Sequence, residues 1–190
     1  MLKGTSPDGR HYFPSFPYTS YQRMTLADVR DLFAYLKTLP AVQGRVRDHD
    51  VSFPFNLRRL VGGWKFLYLD GRPFTPDPNR PAEWNRGAYF VNALTHCAEC
   101  HSPRNRLGAI IESRRFAGGP DPEGDGTIPD ITQGGISYSE KEIEQVLETG
   151  ETPEDKVGGS MLAVVRSTSQ LPAKDRAAMA AYIKSLPPVQ

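Results

Sequence analysis

Apolar residues recur along this chain at helical spacing, and they predict a mainly α protein with long loops. Leu26 to Val42 reads as an amphipathic helix ended at Pro40. Leu57, Leu60, Val61, Trp64 and Leu67 then form a stripe at i, i+3, i+4, i+7 and i+10, with Arg58, Arg59 and Lys65 off it. Gly62 and Gly63 weaken that helix by about 1 kcal/mol each relative to alanine. Gly87, Phe90 and Leu94 share a face at i, i+3 and i+7, where glycine lets a second helix cross closely. The expected partner is the closing helix, through Met179, Tyr182, Ile183 and Leu186. In between, Ser139-Glu140-Lys141-Glu142 is a capping box, Ile143, Val146 and Leu147 supply the apolar side, and Gly150 is the stop. A short helix is expected from Leu162 to Arg166.

The closing helix repeats the first one. Laid over residues 173–189, residues 26–42 are identical at seven of 17 positions, among them Asp28/Asp175, Tyr35/Tyr182, Lys37/Lys184 and Pro40/Pro187. A repeated closing helix implies a repeat of the domain it closes. The chain therefore divides into residues 1–45 as the C-terminal remnant of an upstream domain, 46–80 as a linker with a possible amphipathic helix, and 81–190 as a complete domain. Pro73, Pro76, Pro78 and Pro81 mark the end of that linker. The alternative is that Ala-Tyr-x-Lys-x-Leu-Pro recurs by chance. The stripe helix serves either as a membrane-surface or partner-docking element, or packs on its own domain.

Composition narrows the class. The 190 residues suffice for one ordinary domain plus an extension. A net charge of +1, with acids and bases interleaved, argues against a nucleic-acid partner. Seventeen glycines and 17 prolines put much of the chain in turns, as expected of a fold organised around a cofactor. No apolar window approaches the length of a membrane span. Residues 1–20 contain no apolar core of a secretory signal. With only two cysteines, both in one motif, no disulfide framework is implied.

That motif is Cys97-Ala98-Glu99-Cys100-His101, and Cys-x-x-Cys-His is the spacing through which haem c is attached. On a helical turn, positions 97, 100 and 101 are related as i, i+3 and i+4, so both sulfurs and the imidazole share a face. One haem can take thioethers from Cys97 and Cys100 and an axial bond from His101. Ala98 and Glu99 point elsewhere and are expected to be free to vary. A thioredoxin-like dithiol needs a strand leading into it, whereas residues 88–94 read as a helix. Zinc would want four ligands, yet the chain has no second cysteine pair, and His11, His49 and His96 lack finger-like spacing.

The ligand opposite His101 decides what such a haem does. Met161 follows Gly158-Gly159-Ser160, small residues that let the backbone approach a haem face, and it is the candidate sixth ligand. The other reading makes Met161 a core side chain at the start of its helix. Met179 lies on the packing face of the closing helix. Met24 has no attachment motif before it in this chain and receives no site.

A helix before Cys-x-x-Cys-His, a capped middle helix, a glycine-flanked methionine and a closing helix ending Tyr182-x-Lys184-x-Leu186-Pro187 together resemble a class I cytochrome c. More narrowly, Phe53-Pro54-Phe55-Asn56-Leu57-Arg58, Trp84-Asn85-Arg86-Gly87-Ala88-Tyr89 and residues 96–105 look like multi-haem cytochrome c subunits of periplasmic dehydrogenases. Ser6 to His11 and Phe16 to Tyr21 look like the end of the preceding haem domain in that family. The resemblance implies cytochrome c-like helices around one covalent haem c and an electron carrier rather than an enzyme. It implies a dehydrogenase catalytic subunit and a downstream acceptor as partners, at the periplasm or the periplasmic face of the inner membrane, and leaves peripheral membrane association open. Two positions depart from the family pattern: Tyr138 stands where tryptophan is usual, and Pro129-Asp130-Ile131-Thr132 replaces Pro-Asn-Ile-Thr. Both lie where haem propionates are commonly held, and an aspartate there adds negative charge beside an anionic group. Two further readings stay open: a pentacoordinate haem enzyme or sensor, prompted by those changes, and a fragment that never acquires haem, prompted by residues 1–20.

Overall fold

The computed structural model describes residues 1–121, 124 and 126–189, and its regular structure is almost entirely helical, in line with the expected fold class. The chain forms two compact units, residues 1–74 and 75–190.

The first unit holds α1 (Tyr18–Tyr21), α2 (Leu26–Thr38) and α3 (Arg58–Tyr68). Thr25 caps α2: its hydroxyl oxygen accepts the Asp28 N–H at 3.1 Å and its proton goes to the Asp28 carboxylate at 2.6 Å. The helix stops where Leu39 turns extended ahead of Pro40. No residue of α2 is buried.

On α3 the buried side differs from the stripe expected from periodicity. Val61 and Lys65 are buried, whereas Leu60 and Leu67 are 55% and 65% exposed. The cause is polar and non-local. The Lys65 ammonium donates to the Gly4 carbonyl at 2.9 Å and the Thr5 hydroxyl at 2.7 Å, and lies 3.1 Å from His11 Nδ1. Arg58 adds a bond to the His11 carbonyl at 2.8 Å. Acceptors along residues 4–11 thus select the 58–61–65 face, and desolvation pulls the Lys65 pKa below its ordinary value. Residues 69–74 are tied into the same unit: Gly71 N–H donates to Gln22 Oε1 at 2.7 Å and Phe74 N–H to the Arg23 carbonyl at 2.9 Å.

The second unit contains α4 (Ala82–Tyr89), which runs on through a π-helical turn (Phe90–Leu94) to α5 (Cys97–Cys100). After a 3₁₀ turn (Glu112–Arg114), the strands β1 (Gly119–Pro120) and β2 (Thr127–Ile128) pair antiparallel, with Gly119 opposite Ile128. Then come α6 (Glu140–Thr149), α7 (Met161–Thr168) and α8 (Ala173–Lys184). The capping box of α6 forms as expected, with Ser139 and Glu142 satisfying each other's backbone N–H groups. Phe90, Val91, Ala98, Phe116, Ile143, Leu147, Met179, Ala180 and Ile183 build one core.

The crossing of α4 and α8 holds this unit together. A Cβ on Gly87 would lie 1.8 Å from the Ala178 carbonyl oxygen, so only glycine permits the contact. On either side of it, Trp84 Nε1 donates to Ser185 Oγ at 2.6 Å, the Trp84 ring meets Tyr182 edge-on at 5.1 Å, and the Arg86 guanidinium forks onto the Asp175 carboxylate. Arg86 holds the buried Asp175 carboxyl below its ordinary pKa of 3.8. From the far side of α8, Arg176 reaches Glu148 of α6 at 2.5 Å.

Two outcomes follow. Gly87→Ala forces the helices apart and should destabilise the second unit by about 3 kcal/mol, read from urea unfolding. Asp175, with a lowered folded-state pKa, contributes stability that is complete above its ordinary value and is lost as pH falls through the lowered one. The stability difference between the native chain and Asp175→Asn should therefore be large at pH 7 and shrink steadily below pH ~4. A pH-independent difference would remove this ion pair from the account.

Candidate haem site

The three residues of the attachment motif sit on a single turn. Cys97 and Cys100 bound α5, and His101 follows it with φ −80° and ψ 20°. The π-helical turn before it aims this turn: Thr95 N–H and the Thr95 hydroxyl both donate to the Phe90 carbonyl, each at 2.9 Å. With its proton so used, the Thr95 oxygen is an acceptor for the Cys97 thiol, 3.2 Å away. Burial raises the Cys97 pKa above the ordinary thiol range, the Thr95 contact opposing in part, so the sulfur stays a neutral thiol.

Ala98 and Glu99 are not free positions, contrary to the expectation from the motif. Ala98 is fully buried in the core, and Glu99 pairs with Arg104 at 2.7 Å. Arg104 also donates to the Glu99 and Gly108 carbonyls, at 2.6 and 2.7 Å, and so braces α5 against the loop that follows.

His101 is held in one tautomer. Its Nδ1 lies 2.8 Å from the Pro129 carbonyl, which can only accept, so Nδ1 carries the proton and Nε2 keeps its lone pair. Desolvation lowers the His101 pKa, with Pro129 and Asp130 opposing, and the ring is neutral at pH 7. A neutral imidazole with Nδ1–H fixed by a carbonyl is the form that ligates a metal through Nε2.

The Pro129 carbonyl is set by contacts that motif reading did not find. Gly118, at φ +68°, donates its N–H to the His101 carbonyl at 2.9 Å. A Cβ there would lie 2.5 to 2.8 Å from the backbone of residues 128–130. Phe116 also has positive φ, with its ring buried, its N–H on Ser102 Oγ at 3.0 Å and its carbonyl taking the Ile131 N–H at 3.0 Å. The Phe116-Ala117-Gly118-Gly119 run was the available signal. Asp130 accepts the Thr132 N–H at 2.7 Å, and Tyr138 donates to Glu154 at 2.5 Å, a bond that raises the Tyr138 pKa.

Met161 comes from a different element. It opens α7, half-buried, after Gly159 at φ +56°, and α7 is tied to α6 through Thr168 Oγ1 on the Leu147 carbonyl at 2.5 Å. The loop leading to it is shaped by Val157 N–H on the Gly150 carbonyl at 2.8 Å and by the Tyr138–Glu154 bond. The structure thus gathers Cys97, Cys100 and His101 on one turn and presents Met161 from a separately anchored helix. Two thiols and a neutral, oriented imidazole at this spacing fit a covalently held haem c. Among the described residues, no group of three or more His, Cys, Asp and Glu is placed to bind a metal ion, and no helix is long and apolar enough to cross a membrane.

The chain is 50% identical over 191 residues to a diheme cytochrome c-type protein of Cereibacter sphaeroides, covering all of this chain and 64% of that one. It is 40% identical over 190 residues to a nicotinate dehydrogenase subunit of Pseudomonas putida, covering 98% of this chain and 16% of the relative. To the fructose dehydrogenase cytochrome subunit of Gluconobacter japonicus it is 37% identical over 194 residues, covering 98% and 40%. The chain therefore spans less than two thirds of each of these relatives. The family model for cytochrome c matches residues 85–187, from the helix that precedes the attachment turn to the end of the closing helix. By that match the chain belongs to the cytochrome c family.

Proposed function

We propose that this chain carries electrons through one haem c, held by Cys97 and Cys100 and ligated by His101 and Met161, as part of a multi-haem subunit serving a periplasmic dehydrogenase. The observation that carries the reading is His101, whose Nδ1 proton is committed to Pro129, so that Nε2 keeps the lone pair a metal would take. Names of relatives support the partner: one is a fructose dehydrogenase cytochrome subunit and another a nicotinate dehydrogenase subunit. The diheme relative supports reading residues 1–45 as the end of an upstream cytochrome c domain, with 81–190 as the complete one. Attachment of haem c outside the cytoplasm supports a location in the periplasm or on the periplasmic face of the inner membrane, and the carrier role calls for an electron acceptor downstream.

Haem c, when bound, supplies one-electron redox chemistry. The chain's own residues fix its ligation and surroundings. Pro129 and Gly118 hold the imidazole at one tautomer and orientation, which keeps the ligand basic. Phe90, Val91 and Phe116 keep water from the inner side of the attachment turn. Held by both His101 and Met161, the haem would supply electron transfer as in a carrier rather than a site for an added ligand.

Protein matured in a periplasm that attaches haem c should show covalent, low-spin haem. Met161→Ala should turn it high-spin or make it bind carbon monoxide in the reduced state. An unchanged spectrum would remove Met161 from the iron, and absence of covalent haem in the native chain would overturn the reading as a whole. The domain assignment has its own check: translation of the nucleotide sequence upstream of Met1 should reveal an in-frame Cys-x-x-Cys-His.

A further inference from the structure

Met161 opens α7 with little to hold it on its N-terminal side. Gly158, Gly159 and Ser160 are exposed, and a Cβ on either glycine would meet no atom within 4 Å. The Ser160 side chain does not cap the helix. Val165 and Thr168 anchor α7 only one and two turns further on. Whatever fixes the start of the helix must therefore come from the chain before the glycines.

That stretch is a small hairpin, residues 150–157. Val157 N–H closes its base on the Gly150 carbonyl at 2.8 Å, and Glu151 and Lys156 bridge across it and pair at 3.3 Å. At its turn, Thr152 N–H donates to the Asp155 carbonyl at 2.7 Å and Asp155 N–H to Thr152 Oγ1 at 2.9 Å. So braced, the hairpin acts as one piece, and its direction depends on what its turn touches. There Glu154 accepts the Tyr138 hydroxyl proton at 2.5 Å. Tyr138 is the fixed end of this bond: it is half-buried just before capped α6, and it packs against the core that also contains Ala98 of the attachment turn. A hydroxyl donating to a carboxylate is one of the stronger hydrogen bonds.

We infer that Tyr138 and Glu154 are positioning residues for the sixth ligand: their bond pins the turn of the hairpin to the core that carries the attachment turn, and the hairpin keeps Met161 in place for the iron. Both act through the loop. Without the bond, Gly158 to Ser160 let the hairpin and Met161 swing away while α7 stays folded on Val165 and Thr168. The inference rests on reading Met161 as the sixth ligand and names what makes that ligand persist.

The test uses the full chain with haem attached, in the ferric state, and cyanide as the probe of how often the sixth position opens. Tyr138→Phe keeps the ring and removes the hydroxyl, and Glu154→Ala removes the acceptor from an exposed position. Both variants should keep covalent, low-spin haem and take up cyanide about tenfold faster than the native chain, the effect of losing one charge-assisted hydrogen bond. The double variant should be no faster than either single one, because all three lack the same bond. The urea midpoint read by far-ultraviolet circular dichroism should stay at the native value. Native cyanide rates in both single variants would overturn the inference, and so would effects that add in the double variant. Faster uptake matched by an equal loss of global stability would also overturn it, since the bond would then serve the fold alone. Met161→Ala with a native spectrum is a different failure: it would take the thioether off the iron and remove the ligand reading together with the role built on it.

Discussion

The second unit depends on the place where α4 and α8 touch without a side chain between them. At Gly87 the backbones come close enough that a single carbon would collide with the Ala178 carbonyl, and this closeness fixes both the angle and the register of the crossing. Trp84 and Arg86 reach their partners on α8 because they lie within one turn of that point. The same helix then runs through the Phe90–Leu94 turn into Cys97, so the orientation of the attachment turn is inherited from the crossing. A packing contact and a chemical site are here two ends of one rigid element.

The opposite wall is made by backbone rather than side chains. Gly118 and Phe116 both adopt positive φ, one to bring residues 128–130 against the loop, the other to bury a ring while keeping its backbone groups bonded. Strain of this kind in a bulky residue persists only where its surroundings over-determine it. The result is a carbonyl at Pro129 that does for His101 what no side chain of the motif could do: it selects the tautomer. The aspartate at 130, suspect from its charge, spends its carboxylate on the Thr132 N–H of the same loop.

Local patterns were the legible ones. The capping box, the spacing of the cysteines and the glycine crossing each depend on residues within a turn or two, or on a periodicity that both partners display. What escaped was long-range and polar. The buried side of α3 could not be read from its leucines because Lys65 is drawn inward by acceptors about sixty residues earlier. Ala98 and Glu99 looked idle because their partners, the core and Arg104, lie outside the motif. Pro129 escaped because its acting group is a main-chain oxygen, which every residue has.

The pair α2 and α8 shows how little of burial belongs to a helix itself. With seven of 17 positions identical, both form, both end before proline, and both turn a hydroxyl proton back onto a tyrosine carbonyl. Intrinsic propensity and capping account for that much. Yet Asp175 lies buried on its guanidinium while no residue of α2 is buried. The difference is the partner: α4 supplies the arginine and the glycine, and burial follows from them.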